Sequence, residues 1–265
     1  MTAFDFELSD AGQGPALLML PGSYATPAAW RGIEKELGGT YRVLSTSLPG
    51  YGATPEIRQG DDNGIEILVE FVGQVVDAVG EPVHIVGHSF GAQLALAAML
   101  AGRIAPLGLV SFEANPIFAR PAGGPFPWRP DVDLMVDRFQ AAVAANDPDA
   151  AGIIIDFYSR PGAFKDLPES VRAFCTASAP TNLRDWHSAA SFTPHFADFG
   201  KVNQPMTLVH GATSPPPIVD VTDALATHAR DARTVVVDGA DHFLISTHPR
   251  ACAVIIEAHV ARLGT

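Results

Sequence analysis

A serine between two glycines is the first residue in this chain that is placed to do chemistry. Ser89 is the centre of the pentapeptide Gly-His-Ser-Phe-Gly at residues 87–91. A β-branched, apolar run at 82–86 precedes it, and a strong helix-forming run at 90–101 follows it. A strand, Gly-x-Ser-x-Gly and a helix together are typical of a nucleophile elbow, where the glycines permit a sharp turn that exposes the serine hydroxyl. We therefore expect Ser89 to be a nucleophile.

A serine hydroxyl is a weak nucleophile near neutral pH and needs a base within hydrogen-bond reach. The candidate base is His242, which lies in a Gly-containing loop directly after the apolar run at 234–237. A histidine in the loop after the last strand fits a triad ordered serine, acid, histidine along the chain. Of the other histidines, His84 lies in a strand-like run, His88 in the elbow and His259 in the last helical pattern.

The tetrahedral intermediate of acyl transfer needs two backbone N–H donors. We expect one from Phe90, directly after the nucleophile, and the other from Ser23, where the apolar run Ala16–Leu20 ends at Pro21-Gly22. The alternative interpretation of residues 21–23 is a plain Pro-Gly turn.

The elements that must position these residues alternate between strands and helices. Continuous apolar runs without polar alternation indicate a mostly parallel sheet with helices on both faces. Residues 4–9 alternate apolar and polar side chains, which predicts an edge strand. The predicted strands are Ala16–Leu20, 41–48, 82–86, 107–112, 206–210 and 234–237, and the predicted helices are Ile65–Val79, 90–101, 218–229 and Pro249–Leu263.

One long segment breaks this alternation. Residues 116–130 contain five prolines and two glycines, which preclude regular structure. Helical patterns follow at 132–145, 149–158 and 169–178. We predict that residues 115–200 form a helical lid, and that residues 1–114 and 201–265 form the α/β core.

Composition excludes several classes of protein. The chain has 265 residues, 47% of them hydrophobic and 17% charged, which predicts a compact fold. Its net charge of −12 argues against nucleic acid and anionic membranes as partners. Two distant cysteines, Cys175 and Cys252, predict neither a disulfide framework nor a metal site, and no other cluster has metal-ligand spacing. With no signal peptide and no apolar run of membrane length, we expect a cytoplasmic protein.

The motifs together resemble the α/β-hydrolase superfamily, in its small, capped, esterase-like branch. The elbow at 87–91 and Gly-Ala-Asp-His-Phe at 239–243 match its nucleophile and histidine loops. Residues 47–54 are similar to its Asp-x-Pro-Gly-x-Gly-x-Ser stretch, and residues 20–23 to its His-Gly oxyanion loop, with Pro21 in place of the histidine. The resemblance implies an eight-stranded sheet, a helical cap after the sixth strand and no cofactor.

The chain departs from this family at the triad acid. The family's usual carboxylate follows the seventh strand in a Gly-x-x-Asp pattern, but Ser214 occupies that position here. Glu113 is the best substitute, because it ends the strand run at 107–112 at the same edge of the sheet, as the acid does in certain haloalkane dehalogenases. The alternative role for Glu113 is a salt bridge with Arg120 or a helix cap. The remaining carboxylates considered are Asp220, Asp223 and Asp241.

Aromatic side chains of the predicted lid favour an apolar acyl or aromatic group over Ser89. The residues predicted to form that pocket are Tyr24, Phe118, Trp128, Phe157 and Trp186.

These expectations describe a serine hydrolase that cleaves small to medium, largely apolar carboxylic esters, with a small molecule as its partner. The same fold hosts lactone, thioester and C–C bond hydrolysis, peracid formation and cofactor-free oxygenation, so these alternatives stay open. A ligand receptor with little turnover is the alternative from another class. The sequence also leaves a homo-oligomer open.

Overall fold

A computed structural model describes residues 3–60 and 62–264 of the chain. Seven strands of the described residues form one sheet, in the order β1-β3-β2-β4-β5-β6-β7. The strands are β1 (Ser9–Ala11), β2 (Ala16–Leu20), β3 (Arg42–Ser45), β4 (Val83–His88), β5 (Gly108–Phe112), β6 (Met206–Gly211) and β7 (Ala232–Val237). β1 pairs antiparallel with β3, and every other pairing in the sheet is parallel. The predicted mostly parallel sheet is thus confirmed, with seven strands in place of the expected eight.

The edge strand at the start of the chain differs from the strand predicted from the sequence. The predicted strand at 4–9 is wrong over residues 4–8, because the strand β1 begins only at Ser9 and backbone groups before it bond to side chains. The backbone N–H of Phe4 donates to Gln74 Oε1 at 2.9 Å, and that of Glu7 donates to Thr54 Oγ1 at 3.2 Å. The apolar alternation remains meaningful, because Phe6 packs edge-on against Phe71 of the first long helix.

Helices cover both faces of the sheet. The helices before β5 and after β6 are α1 (Arg31–Leu37), α2 (Ile65–Val79), α3 (Ser89–Leu100), α8 (Pro216–His228), α9 (Leu244–Thr247) and α10 (Pro249–Leu263), with a short 3₁₀ helix at Pro27–Trp30. Leu18 and Leu20 of β2 pack with α2 and α3, whereas Leu17 and Met19 pack on the opposite face with α1 and α10. Successive strand residues point to opposite faces, so this buried strand needs apolar residues at every position.

The segment between β5 and β6 is mostly helical. Residues 113–128 form neither helix nor strand, as predicted for 116–128, but a helix begins at Arg129 and takes Pro130 into its first turn. The helices of this segment are α4 (Arg129–Ala144), α5 (Ala150–Tyr158), α6 (Ala163–Asp166), α7 (Glu169–Ser191) and a 3₁₀ helix at Phe196–Lys201. α7 continues through Pro180 and is therefore longer than the predicted helix at 169–178. The division into a core and a separate lid stays a prediction.

Of the helices among residues 3–60 and 62–264, none is both long enough and apolar enough to cross a membrane.

Candidate active site

Ser89 lies at the junction between β4 and α3, where the strand turns into the helix without an intervening loop. Its backbone φ is +51°, which lies in the left-handed region that residues other than glycine rarely adopt. A Cβ on Gly91 would lie 2.2 Å from the backbone oxygen of Pro21, and one on Gly22 would lie 3.0 Å from Ser89 Cβ. These glycines therefore let the loop after β2 lie directly against the elbow.

A chain of hydrogen bonds links three of the predicted site residues. Ser89 Oγ is 2.9 Å from His242 Nε2, and His242 Nδ1 is 2.6 Å from Glu113 Oε2. A carboxylate can only accept, so Nδ1–H of the imidazole donates to Glu113. That tautomer leaves Nε2 free to accept the hydroxyl proton of Ser89. The arrangement can therefore take a proton from the serine and hold the imidazole in one orientation.

Glu113 is completely buried directly after β5 and is surrounded by hydrogen-bond donors. Its Oε1 accepts the backbone N–H of Gly211 at 2.7 Å and the hydroxyl of Ser214. Burial by itself raises the pKa of this carboxyl, but the hydrogen bond and charge of His242, together with these donors, outweigh burial and hold the pKa below its ordinary value. Glu113 is thus ionised beside His242.

The backbone and ring of His242 are also held in place. His88 Nε2–H donates to the His242 carbonyl at 2.9 Å, and the ring of Tyr158 stacks on the imidazole with centroids 4.2 Å apart. Burial, with His242 nearby, lowers the pKa of His88 to about 3, so its ring is neutral and its Nδ1 carries no proton. Asn115 Nδ2 donates to the Tyr158 hydroxyl at 3.1 Å, which fixes the stacked ring in turn.

Backbone strain is concentrated at this site. Of the described residues other than glycine, four have a positive φ, and three of them are Tyr24 at +58°, Ser89 at +51° and Glu113 at +55°. Each such residue costs on the order of 1–3 kcal/mol and persists only where the surrounding structure holds it. Such strain is common at catalytic sites.

A cavity of about 60 Å³ lies over Ser89, which is room for about four water molecules. Ser23 and Phe90, the expected oxyanion donors, both line it. Of the residues predicted to form the pocket, Tyr24 and Trp186 line this cavity. The remaining wall combines apolar and polar side chains: Ile117, Ile154, Ile155, Ala189, Phe243, Asn115, Asn182, Asp185 and Tyr158.

A sequence model described as the alpha/beta hydrolase family matches residues 17–255, which is most of the chain. The chain belongs to the alpha/beta hydrolase family. It is 27% identical over 262 residues to the pimeloyl-(acyl-carrier protein) methyl ester esterase of Methylococcus capsulatus, covering 96% of this chain and 98% of that one. It is 32% identical to the enzyme of the same name from Aeromonas salmonicida, but over only 40% of this chain and 41% of that one.

A solved esterase from Thermogutta terrifontis superposes with a TM-score of 0.76 at 20% identity, covering 99% of this chain and 95% of that one. At this identity the superposition shows a shared fold. This alpha/beta hydrolase therefore has esterases among both its sequence relatives and its structural neighbours.

The alternative acids of this alpha/beta hydrolase have other partners. Asp220 accepts Trp128 Nε1–H at 2.9 Å, and Asp241 accepts the hydroxyl of Ser159. Asp223 lies within α8. Arg120 Nε donates to the Thr193 carbonyl and not to Glu113, so the salt bridge considered for these two residues is absent among the described residues. Within 3–60 and 62–264, Glu113 is the carboxylate that contacts His242.

Three of the five predicted pocket residues lie outside the cavity of this hydrolase. Phe118 packs edge-on behind Trp186 at 6.3 Å and supports the guanidinium of Arg129 at 4.3 Å. Trp128 stacks on Phe126 at 4.9 Å, and Phe157 lines a shallow surface groove with residues of α4. Phe118 and Trp128 pack against other side chains and Phe157 lies at a surface groove, which corrects the prediction that these three residues form the pocket over Ser89.

Sequence reasoning missed a buried polar network beside the loop that follows β2 of this hydrolase. Asp185 of α7 accepts hydrogen bonds from the hydroxyls of Ser23 and Tyr51, each at 2.6 Å, and from Arg58 Nη1 at 2.9 Å. Arg58 also pairs with Glu56 at 2.7 Å. Burial raises the pKa of Asp185, opposed by Arg58 and the two hydroxyls. These partners are far apart in sequence, and no motif connects them.

In the described part of the chain, no group of three or more His, Cys, Asp or Glu side chains is arranged to hold a metal ion.

Proposed function

We propose that this protein is a serine hydrolase that cleaves carboxylic esters of small to medium, largely apolar molecules through an acyl-enzyme. The observation that carries the proposal is the hydrogen-bonded series from Ser89 through His242 to Glu113, buried beneath a cavity. The esterase relatives support ester hydrolysis as the reaction, and the methyl ester in their name suggests a small alkyl leaving group.

In the proposed mechanism Ser89 Oγ attacks the ester carbonyl carbon while His242 Nε2 takes the hydroxyl proton. The negative charge of Glu113 stabilises the imidazolium that forms. The backbone N–H groups of Ser23 and Phe90 stabilise the tetrahedral oxyanion. His242 then gives its proton to the leaving alkoxide, which departs as an alcohol and leaves an acyl ester on Ser89.

Deacylation repeats the sequence with water as the nucleophile. His242 takes a proton from the water as it attacks the acyl carbonyl, and returns a proton to Ser89 Oγ as the carboxylic acid leaves. The inserted residues 115–200 cover the site as a cap in this proposal, because α5 and α7 supply the cavity wall opposite the elbow. The cytoplasmic location and the homo-oligomer stay predictions from sequence.

The experiment that tests this function is hydrolysis of a p-nitrophenyl ester series, from acetate to long acyl chains. The wild type is compared with Ser89→Ala and with Ser170→Ala, which makes the same change at an exposed position of α7. We expect turnover by the wild type and the control, a loss of about 10⁴-fold or more in Ser89→Ala, and a preference for short chains.

Covalent labelling separates the hydrolase from a receptor. A fluorophosphonate should attach to Ser89, and peptide mass spectrometry would locate the adduct. Saturable ligand binding with neither turnover nor labelling would instead favour the receptor, and equal activity of Ser89→Ala would remove Ser89 as the nucleophile.

A further inference from the structure

Three buried polar atoms around the cavity have no hydrogen-bond partner among the described residues. They are the Tyr24 hydroxyl, Asn115 Oδ1 and Asn182 Oδ1. All three residues line the cavity over Ser89. They come from three separate elements: the loop after β2, the segment after β5, and α7.

Such atoms are unusual in a folded protein. More than about nine in ten buried polar groups have a partner, and leaving one without a partner costs about 1–3 kcal/mol. Phenylalanine at Tyr24 or leucine at Asn182 would avoid this cost, and the neighbouring wall is already apolar at Ile154 and Trp186. Partners for these atoms therefore come from molecules that enter the cavity, which are water in the free protein and polar groups of the substrate when it binds.

The chemistry of these atoms specifies what that molecule carries. Amide oxygens only accept hydrogen bonds, and the amide nitrogen of Asn115 donates one of its two hydrogens to the Tyr158 hydroxyl at 3.1 Å. The carboxylate of Asp185 lies on the same wall. Two amide oxygens that accept, beside a Tyr24 hydroxyl that can donate or accept, favour a neutral group that both donates and accepts a hydrogen bond.

We infer that the preferred ester carries a hydroxyl group within a few bonds of its scissile carbonyl, that the Tyr24 hydroxyl donates to the oxygen of this group, and that the group donates its one proton to Asn182 Oδ1. Because these residues line the same cavity as Ser89, the hydroxyl that they bind lies close to the reacting carbon. This inference rests on the proposed ester hydrolysis and specifies its substrate class as small hydroxy esters. The reaction remains hydrolysis to an acid and an alcohol.

Two pairs of esters of matched size test the inference, because each pair differs by a hydroxyl in place of a methyl. Methyl 3-hydroxybutyrate against methyl 3-methylbutyrate places the hydroxyl on the acyl side. 2-Hydroxyethyl butyrate against propyl butyrate places it on the alcohol side. Acid release in a pH-stat gives kcat/KM for each ester, and we expect a preference of at least about tenfold for the hydroxylated member of one pair.

Variants then connect that preference to the named atoms. Tyr24→Phe and Asn182→Leu should each reduce the ratio by about three- to tenfold. Ile154→Val, which alters the same wall without a polar atom, should leave the ratio unchanged. The thermal midpoints of Tyr24→Phe and Asn182→Leu should equal or exceed that of the wild type, because neither removes a hydrogen bond within the protein.

Each other outcome has a definite meaning. Ratios near one for both pairs, with the apolar esters well hydrolysed, would overturn the inference and leave the proposed ester hydrolysis in place. The inference would also be overturned if the kcat/KM ratio in Tyr24→Phe and in Asn182→Leu equals that of the wild type, or if both variants have lower thermal midpoints than the wild type. Absence of hydrolysis of all four esters by folded wild type would overturn the proposed function, and the inference with it.

Discussion

The hydroxyl of Ser214 donates to the one carboxylate oxygen of Glu113 that His242 does not contact. Ser214 occupies the position after β6 where the resemblance leads one to expect an aspartate. Replacement of the expected aspartate by Ser214 therefore does not leave this part of the site without a carboxylate. The serine binds a carboxylate that comes from the end of the neighbouring strand, β5, and Gly211 N–H binds the same oxygen at 2.7 Å.

Glu113→Gln should lower kcat by about 10³- to 10⁴-fold while leaving the fold intact, because the amide removes the charge that stabilises the imidazolium. Its uncharged side chain can also favour the wrong histidine tautomer. Steady-state kinetics on a p-nitrophenyl ester and circular dichroism would measure the two effects. Asp220→Asn is the matched control, because Asp220 is bound to Trp128. A rate close to that of the wild type would remove Glu113 from the triad.

The contact between Ser214 and Glu113 predicts that the acid can be moved. The double variant Glu113→Ala/Ser214→Asp should have a kcat at least about tenfold higher than that of Glu113→Ala alone. The reason is that the new carboxylate enters the space vacated beside His242. Ser214→Asp alone should instead destabilise the protein, since two buried carboxylates would meet and the pKa of one must rise. A double variant no faster than Glu113→Ala would show that position 214 does not reach the imidazole.

Sequence patterns predicted most of the sheet and the residues now joined by hydrogen bonds at the site. Ser89 and His242 are marked by short motifs within one strand-turn-helix or strand-loop unit, so local pattern suffices to find them. Glu113 was predicted from Ser214, because a triad expected to need a carboxylate, with none at the usual position, directs attention to the end of the neighbouring strand in the sheet.

The cavity wall was harder to predict, because it depends on which face of each inserted helix turns inward. Aromatic content placed Phe118, Trp128 and Phe157 in the pocket, whereas they pack between helices or at the surface. The contact of Asp185 with Ser23 joins residues 162 positions apart. No periodicity within one helix reports such a tertiary contact.

Asp185→Asn should lower the free energy of unfolding by about 3 kcal/mol, because it leaves the buried guanidinium of Arg58 with Glu56 as its remaining anionic partner. Ser23→Ala is the comparison variant, since it loses one hydrogen bond to the same carboxylate and should cost about 1.5 kcal/mol. Urea denaturation followed by fluorescence would measure both values. If the two variants unfold at the urea concentration of the wild type, the network contributes nothing to stability.

Stability should fall in mild acid because of His259, which is buried in α10. Its Nδ1 is 2.8 Å from the Thr207 hydroxyl, and its Nε2 has no hydrogen-bond partner among the described residues. Burial, with His84 and Arg262 adding to it, lowers the pKa of His259 from 6.5 to about 4. As the pH falls below 6.5, the unfolded chain binds a proton at this histidine that the folded chain does not bind. The free energy of unfolding therefore falls until the pH reaches about 4.

Between pH 6.5 and pH 4, the free energy of unfolding of His259→Gln should therefore fall by about 3 kcal/mol less than that of the wild type. Each unit of the pKa difference contributes about 1.36 kcal/mol. The comparison uses the change with pH within each variant, because the substitution also alters packing at every pH. His88 contributes in the same direction in both proteins, so its effect cancels. Urea denaturation at several pH values in this range measures the change, and parallel curves for the two proteins would show that another group causes the loss of stability in acid.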